Sequence, residues 1–529
     1  AVSASPPIHR VSYDEVPYPT CAQRQTHPDR LAAQGTLLGM SPAPVERCRV
    51  LEMGCGNGSN LVPMAYHLPG SEFVGVDRAG VPIDRARQMA GALGLGNVRF
   101  LHCSIADIPG DLGSFDYVVA HGVYSWVPPE VQDALLAVCR RHLSPQGVAY
   151  VSYNTYPGNH LRQMVREMML FHIRGVTEPA RQLEHAVGLA RFVAESQVEP
   201  DVYGQLVKAE LERFLRVDAN YLLHDTLEEH NLPVYFHEFM ERAARHRLQY
   251  LAEADFHEML DWTFKPEVSR TLGRLGANRV AREQYLDFLK CRSFRQTLLC
   301  HEGLALDLSL KPALARRFSV SGLVRPESPR VDLAGRTPER FSHPRGASLK
   351  TDWPVAKAAL LVLAERWPQA LAFEELLELA LAGVPEGAAG LPAGRAATEL
   401  GQLILRGHAS GLLELHLHRP ARTPAPGDRP VSSPLTRWEL GSGRRQVTAL
   451  YHTTMPVEDE ATAKLLLWAD GTRDRAALRE SLAECLVAQG GGALPDGSPA
   501  TSIEQARAWL AGSFDRMLAK LARMGLLIA

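Results

Sequence analysis

Between residues 48 and 153, short apolar runs alternate with longer stretches whose apolar positions recur every three or four residues. RVLEM, EFVGVD, VRFLHC, FDYVVAHG and VAYVSYN read as strands, and VPIDRARQMAGALGL and PEVQDALLAVCRRHL as helices between them. Strands joined by helical crossovers predict a doubly wound, parallel α/β sheet. From about 161 to 305 the pattern turns helical in RQLEHAVGLARFVAESQ, YGQLVKAELERFLRV, YFHEFMERAARHRLQYLAE and REQYLDFLKCRSFRQTLLC, and an all-helical domain is expected there.

A Pro-, Gly- and Arg-rich stretch at 321–350 reads as a linker or hairpin. Behind it, PVAKAALLVLAERWP, FEELLELALAG and RAATELGQLILRGHASGLLELHLH form three helical patterns that end in an apolar–polar alternation. Three short helices with a hairpin predict a winged-helix-like unit over 306–425. A second Pro- and Gly-rich linker, ARTPAPGDRPVSSP, precedes a final domain, 426–529, expected to be helical. The catalytic-type α/β domain, with an N-terminal cap, is assigned to 1–160.

Composition narrows the classes. At 529 residues the chain exceeds what one core supports, so three or four domains are expected. With 46% hydrophobic and 22% charged residues it is ordinary globular material. A formal charge of −2 gives no global field for phosphate backbones or anionic lipid, which argues against nucleic acid and membrane partners. The eight cysteines form no CxxC pair, so neither zinc nor a disulfide framework is expected. Reduced thiols, the absence of a signal-peptide pattern and the absence of a span-length apolar run lead to the expectation of a soluble, cytoplasmic protein.

The strongest chemical signal is Val50-Leu51-Glu52-Met53-Gly54-Cys55-Gly56-Asn57-Gly58, a strand running into a glycine turn that opens a helix. Glycines there permit a tight turn and close backbone approach to a ligand. Alone the motif is weak, because such loops also serve dinucleotides or only tighten a turn. Its context adds Asp77, 23 residues beyond Gly54 at the end of a second strand, where a carboxylate can accept two ribose hydroxyls. The alternative is an Asp that caps the helix near Pro82.

After the fourth strand comes His121-Gly122-Val123-Tyr124-Ser125-Trp126-Val127-Pro128, and after the fifth Ser152-Tyr153-Asn154-Thr155-Tyr156-Pro157-Gly158. Carboxyl-end loops of an open α/β sheet line its crevice, and aromatic faces there can hold a cation. Tyr124, Trp126, Tyr153 and Asn154 are therefore the candidate catalytic residues, with Tyr156 beside them. For any single ring the competing reading is that it closes the core, and for Asn154 that it pins a turn.

These segments together resemble the class I S-adenosylmethionine-dependent methyltransferases, whose fold is a Rossmann-like α/β sheet. The resemblance implies S-adenosylmethionine as cofactor, with Glu52, Gly54, Gly56, Asn57, Asp77, Arg78, Ser104, Ile105 and His121 around it. The family's adenine-reading acid falls on Ser104, with Asp107 one turn further on, so the resemblance routes adenine recognition through the Ser104 hydroxyl and the Ile105 backbone. SYNTYP differs from the NPPY tetrapeptide of the DNA amino-methyltransferases at the central proline. YDEVPY, QTHPDRLA, HGVYSWVP and SYNTYPG resemble more narrowly the methyltransferases that carry a methyltransferase regulatory domain, among them the rickettsial-type outer-membrane-protein lysine methyltransferases. That likeness adds Tyr18 and His27 as cofactor contacts, and four further matches in 221–301 extend it to about residue 305.

His224, Glu228 and His230 invite a metal reading, but a cap or helix face is favoured and no metal is expected. Lys290, Arg292, Arg295 and His301 could take an acidic substrate segment, against the simpler reading of an ion-paired helix face. The function expected is methylation of a protein side chain such as lysine. A small-molecule N- or O-methyltransferase and a methyltransferase-fold DNA-binding regulator are the alternatives.

Overall fold

The computed structural model describes residues 20–196, 201–216, 222, 226–228, 230–261, 263–385, 393–420, 426–488 and 502–529. The expected strands appear as β1 (Arg49–Met53), β2 (Glu72–Asp77), β3 (Val98–His102), β4 (Phe115–Ala120) and β5 (Leu143–Asn154). Helix α1 (Pro28–Leu37) precedes them, and α2 (Leu61–His67), α3 (Gly80–Ala92) and α4 (Pro129–His142) are the crossovers. Two further strands, β6 (Leu248–Glu253) and β7 (Phe294–His301), complete a seven-stranded sheet in the order β3-β2-β1-β4-β5-β7-β6. The first five pair in parallel, and β7 runs antiparallel to both β5 and β6.

Strands β6 and β7 correct the expectation of an all-helical segment over 161–305. Both are short buried runs whose apolar spacing also suits a helix, and the helices before them end without glycine. Arg247 and Cys291 take the left-handed conformation at those ends, with φ of 54° and 48°, so no stop was written in the sequence. Between β5 and β6, α5 (Asn159–His172), α6 (Pro179–Glu195) and α7 (Val202–Leu215) share a small core of their own.

The second half forms two more units. A β-sheet of β8 (Ser319–Ser321), β12 (Leu371–Ala372) and β13 (Glu414–His416) accompanies helices Pro354–Arg366, Phe373–Ala382 and Ala393–Ala409. The 321–350 stretch holds β9 (Arg325–Pro326), β10 (Glu339–Ser342) and β11 (Ser348–Thr351), the last two forming a hairpin. The core of this unit is continuous with that of the large sheet. Asp29, buried in α1, is the polar anchor: His416 Nδ1 lies 2.7 Å from its Oδ2, and the Leu417 and His418 amides donate to its Oδ1 at 2.7 and 2.8 Å. The last unit has a separate core and, besides helices, a hairpin of β14 (Gln446–Ala449) and β15 (Thr453–Pro456). That hairpin corrects the expectation of helices alone.

The basic cluster near the end of the regulatory segment turns inward. Arg295 on β7 is wholly buried, 3.1 Å from Glu283 and 2.8 Å from Asp287, paired also with Glu253 of β6, and its Cζ lies 3.8 Å over the Phe236 ring. Arg292 Nη1 stands 3.0 Å from Asp287, Lys290 donates to the Glu258 carbonyl, and His301 Nε2 lies 2.9 Å from the Leu143 carbonyl. An internal ion network therefore replaces the acidic-substrate reading for Arg292 and Arg295, which face the chain's own carboxylates, while Lys290 and His301 are turned to backbone carbonyls. Arg295→Met strands those carboxylates without their main cation, and a loss of about 3–5 kcal/mol in unfolding free energy is expected from denaturant titration; a loss under about 1 kcal/mol would contradict the role given to Arg295.

Candidate functional site

The site lies where β1, β2 and β3 end. Gly54, Gly56 and Gly58 hold φ of 73°, 51° and 74°, and a Cβ at Gly54 would fall 2.4 Å from Val123 Cγ2. Only glycine lets this loop pass beneath the loop after β4. The Gly54 and Cys55 amides donate to the Val76 carbonyl at 2.8 and 3.1 Å. Asp77 accepts from the Gly56 amide on Oδ2 and from the Ala79 amide on Oδ1, each at 2.9 Å. It thus fixes the glycine loop and the start of α3 together, while each oxygen keeps a second lone pair.

The Cys103 amide donates to the Asp77 carbonyl at 3.1 Å, which brings the β3 loop alongside. Ser104 Oγ accepts from the Ala106 amide at 3.3 Å and caps a short turn that buries Ile105. Arg78 and Asp107 are exposed, and Arg78 offers its carbonyl to His102 Nε2 at 3.1 Å. Asn57 Oδ1 accepts from the Thr20 hydroxyl at 2.6 Å and from the Ser59 amide at 3.2 Å.

Glu52 is buried beneath the loop. Its Oε1 accepts from Asn60 Nδ2 at 2.6 Å, and its Oε2 has no partner among the described residues. Burial raises its pKa to about 8, opposed by the Asn60 bond and reinforced by the Asp77 charge. A buried carboxylate with one empty oxygen suits a ligand that brings a cation. His27 caps α1, its Nδ1 accepting from the Asp29 amide at 3.2 Å, and burial lowers its pKa to about 3. His27 thus joins this cluster as a neutral ring, 5.4 Å from that of His452. Tyr18 and His224 lie outside the described residues.

On the β4 and β5 side the aromatic residues divide. Tyr124 and Tyr153 are wholly buried. Tyr153 stacks on Phe239 at 4.1 Å with its hydroxyl 3.0 Å from Thr297 Oγ1, and Tyr124 meets Phe239 edge-on at 5.2 Å. Phe239 of helix Phe236–Arg245 packs against both buried rings, which agrees with the core reading for these two. Its sequence looked like part of a separate domain, which hid this packing. Trp126 and Tyr156 remain half-buried. Asn154 donates from Nδ2 to Asn231 Oδ1 at 2.9 Å, and its backbone amide donates to Ser125 Oγ at 2.9 Å.

His121 is half-buried, its Nδ1 2.9 Å from the Tyr150 hydroxyl, and burial lowers its pKa to about 4. Residues not singled out from sequence surround this end: the Phe294 ring stands 6.4 Å from His121, and Tyr156 stacks on His160 at 4.1 Å with Tyr235 at 5.3 Å. Asn60 was also missed, although its position just after the glycine turn was a usable signal. His452 and Arg444, from the far end of the chain, carried none.

Three family models match the chain: "Methyltransferase domain" over 50–147, "Predicted methyltransferase regulatory domain" over 218–301, and "PKMT, C-terminal winged helix domain" over 428–526. The last gives a winged helix where helices alone were expected. A protein of Rickettsia prowazekii is 34% identical over 478 residues, 89% of this chain and 85% of its own. A second from the same organism is 37% identical over 238 residues, 45% of this chain and 95% of its own. Among solved structures, PKMT2 from Rickettsia typhi is 27% identical with a TM-score of 0.84, covering 97% of this chain and 100% of that one. The same protein in complex with AdoHcy gives 28% and 0.84. The chain belongs to the class I S-adenosylmethionine-dependent methyltransferases that carry a methyltransferase regulatory domain, the rickettsial-type group, and is an enzyme that uses S-adenosylmethionine.

Proposed function

We propose that this enzyme methylates the side-chain Nζ of lysine in a protein. The observation that carries the reading is likeness along nearly the whole chain, regulatory and winged-helix domains included, to PKMT2, whose name abbreviates protein lysine methyltransferase. The aromatic groups at the carboxyl ends of β4 and β5 agree with it, because electron-rich faces suit an amine or ammonium acceptor.

The residues present fit the cofactor. Asp77, with lone pairs still free on both oxygens, accepts the two ribose hydroxyls. Ser104 and Ile105 line the adenine side, and the Gly54–Gly58 loop with Asn57 holds the methionine portion. Glu52 Oε2 receives the methionine ammonium. When bound, S-adenosylmethionine would supply a sulfonium methyl that the acceptor nitrogen attacks in line: the N–C bond forms as the C–S bond breaks, S-adenosylhomocysteine is the leaving group, and the methylated ammonium gives its proton to solvent. The acceptor lysine reacts as the neutral amine, with the half-buried rings of Trp126 and Tyr156 at the carboxyl ends of β4 and β5 partly shielding it from water. His121, neutral and hydrogen-bonded to Tyr150, presents a polar group beside that path, and Asn154 orders the loop that follows β5. Alignment of the reacting atoms supplies most of the rate.

Incubation with labelled S-adenosylmethionine and a cell extract should put label into protein as methyllysine; label confined to small molecules would instead support the small-molecule alternative. Asp77→Ala should weaken cofactor binding by about 100-fold or more, through two lost charge-assisted hydrogen bonds to the ribose, and should lower the thermal unfolding midpoint while the fold is retained, because the Gly56 and Ala79 amides lose their acceptor. Unaltered affinity by calorimetry would remove the ribose assignment.

The Glu52 assignment has a pH signature. Its carboxyl holds a proton up to about pH 8 in the free protein, whereas a cation at Oε2 requires the carboxylate. Cofactor affinity should therefore rise about tenfold per pH unit below that value and level off above it. At pH 7, calorimetry in buffers of different ionisation enthalpy should register release of close to one proton, and none for Glu52→Gln. Equal proton release in both proteins would refute the assignment.

A further inference from the structure

The hairpin turn between β14 and β15 reaches out of the C-terminal winged helix and ends against the glycine loop of the catalytic domain. Tyr451 and His452 hold φ of 55° and 58°, a region that side chains other than glycine avoid. His452 is buried, with Nε2 2.7 Å from Asn60 Oδ1. Two more contacts fix the approach: Arg444 Nη2 donates to Ser59 Oγ at 2.8 Å, and Thr454 Oγ1 to the Ala22 carbonyl at 3.0 Å.

Asn60 is fully committed. Its Nδ2 donates to Glu52 Oε1 at 2.6 Å and to Thr26 Oγ1 at 2.9 Å, while its Oδ1 accepts from the Gln23 amide at 2.8 Å. The Gln23 amide can only donate, so Oδ1 must face it. His452 therefore meets an acceptor, which assigns the proton to Nε2. Burial, with His27 and His67 nearby, holds the His452 pKa well below the ordinary histidine range and keeps the ring neutral.

We propose that His452 is a positioning residue for the cofactor: its Nε2–H fixes the Asn60 carboxamide in the orientation that presents Nδ2 to Glu52 and leaves Glu52 Oε2 free for the cofactor's ammonium. This rests on the reading of Glu52 given above. It makes cofactor affinity depend on the docking of the C-terminal domain, because a displaced hairpin removes one of the donors holding Asn60. The Gln23 amide then holds Oδ1 alone, and the Asn60 donor to Glu52 is less firmly placed.

The test uses the full chain, S-adenosylhomocysteine as ligand and calorimetry. H452F fills the space without a donor, and H452Q returns an N–H group at similar reach. H452F should weaken binding about tenfold or more, and H452Q should recover it to within about threefold of wild type. In an E52Q background H452F should cost far less than it does alone, since both act through one chain of bonds. Wild-type affinity in H452F, or equal losses in H452F and H452Q, would overturn the proposal in favour of packing. If E52Q weakens binding while H452F does not, the positioning role alone fails. If E52Q binds as wild type does, the Glu52 reading itself fails.

Discussion

The architecture turns on one guanidinium. Arg295 stands on β7, where the chain re-enters the sheet after the helices that follow β6, and it joins β6, through Glu253, to helix Arg279–Lys290, through Glu283 and Asp287, and to Phe236. Removing these charges from water costs several kcal/mol per ion, repaid only by close and mutual pairing. None of the partners can leave alone without stranding a buried charge. This is why β7 lies inserted between β5 and β6 and why helix Phe236–Arg245 covers the Tyr124 and Tyr153 rings. The aromatic interior behind the site follows from that clamp.

The opposite end of the site is governed by a deficit of polar partners. Glu52, His27, His452 and Asn60 are all buried, and burial drives each titratable member of the group toward its neutral form. Asn60 joins Glu52 to His452, and it takes partners from the N-terminal segment, from β1 and from the C-terminal hairpin, while His27 meets His452 ring to ring. Catalytic and C-terminal domains therefore meet beside the glycine loop, at Ser59 and Asn60. With Asp29 held by His416, Leu417 and His418, helix α1 anchors the unit that carries β13, while the last unit meets the segment before α1 and the start of α2.

Much of the fold was legible because it is local. The five parallel strands, the glycine turn, Asp77 at the end of β2 and the start of α1 at Pro28 each follow from a few adjacent residues. The strands β6 and β7 were not legible, since Arg247 and Cys291 end their helices in a conformation that sequence marks with glycine. The fates of the aromatic residues were equally hidden: Tyr153 and Tyr156 stand three residues apart, yet one stacks on Phe239 within the core and the other on His160 at the edge.

The sequence by itself determined the family, the cofactor and the glycine loop proposed to receive it, because a strand, a tight turn and a carboxylate at a set distance are dictated by neighbours along the chain. Tertiary structure alone decided which rings remain open, that Arg292 and Arg295 are internal, and that a histidine 392 residues from Asn60 hydrogen-bonds to it. Burial and hydrogen bonding depend on what packs from elsewhere in the chain, and no local pattern records that.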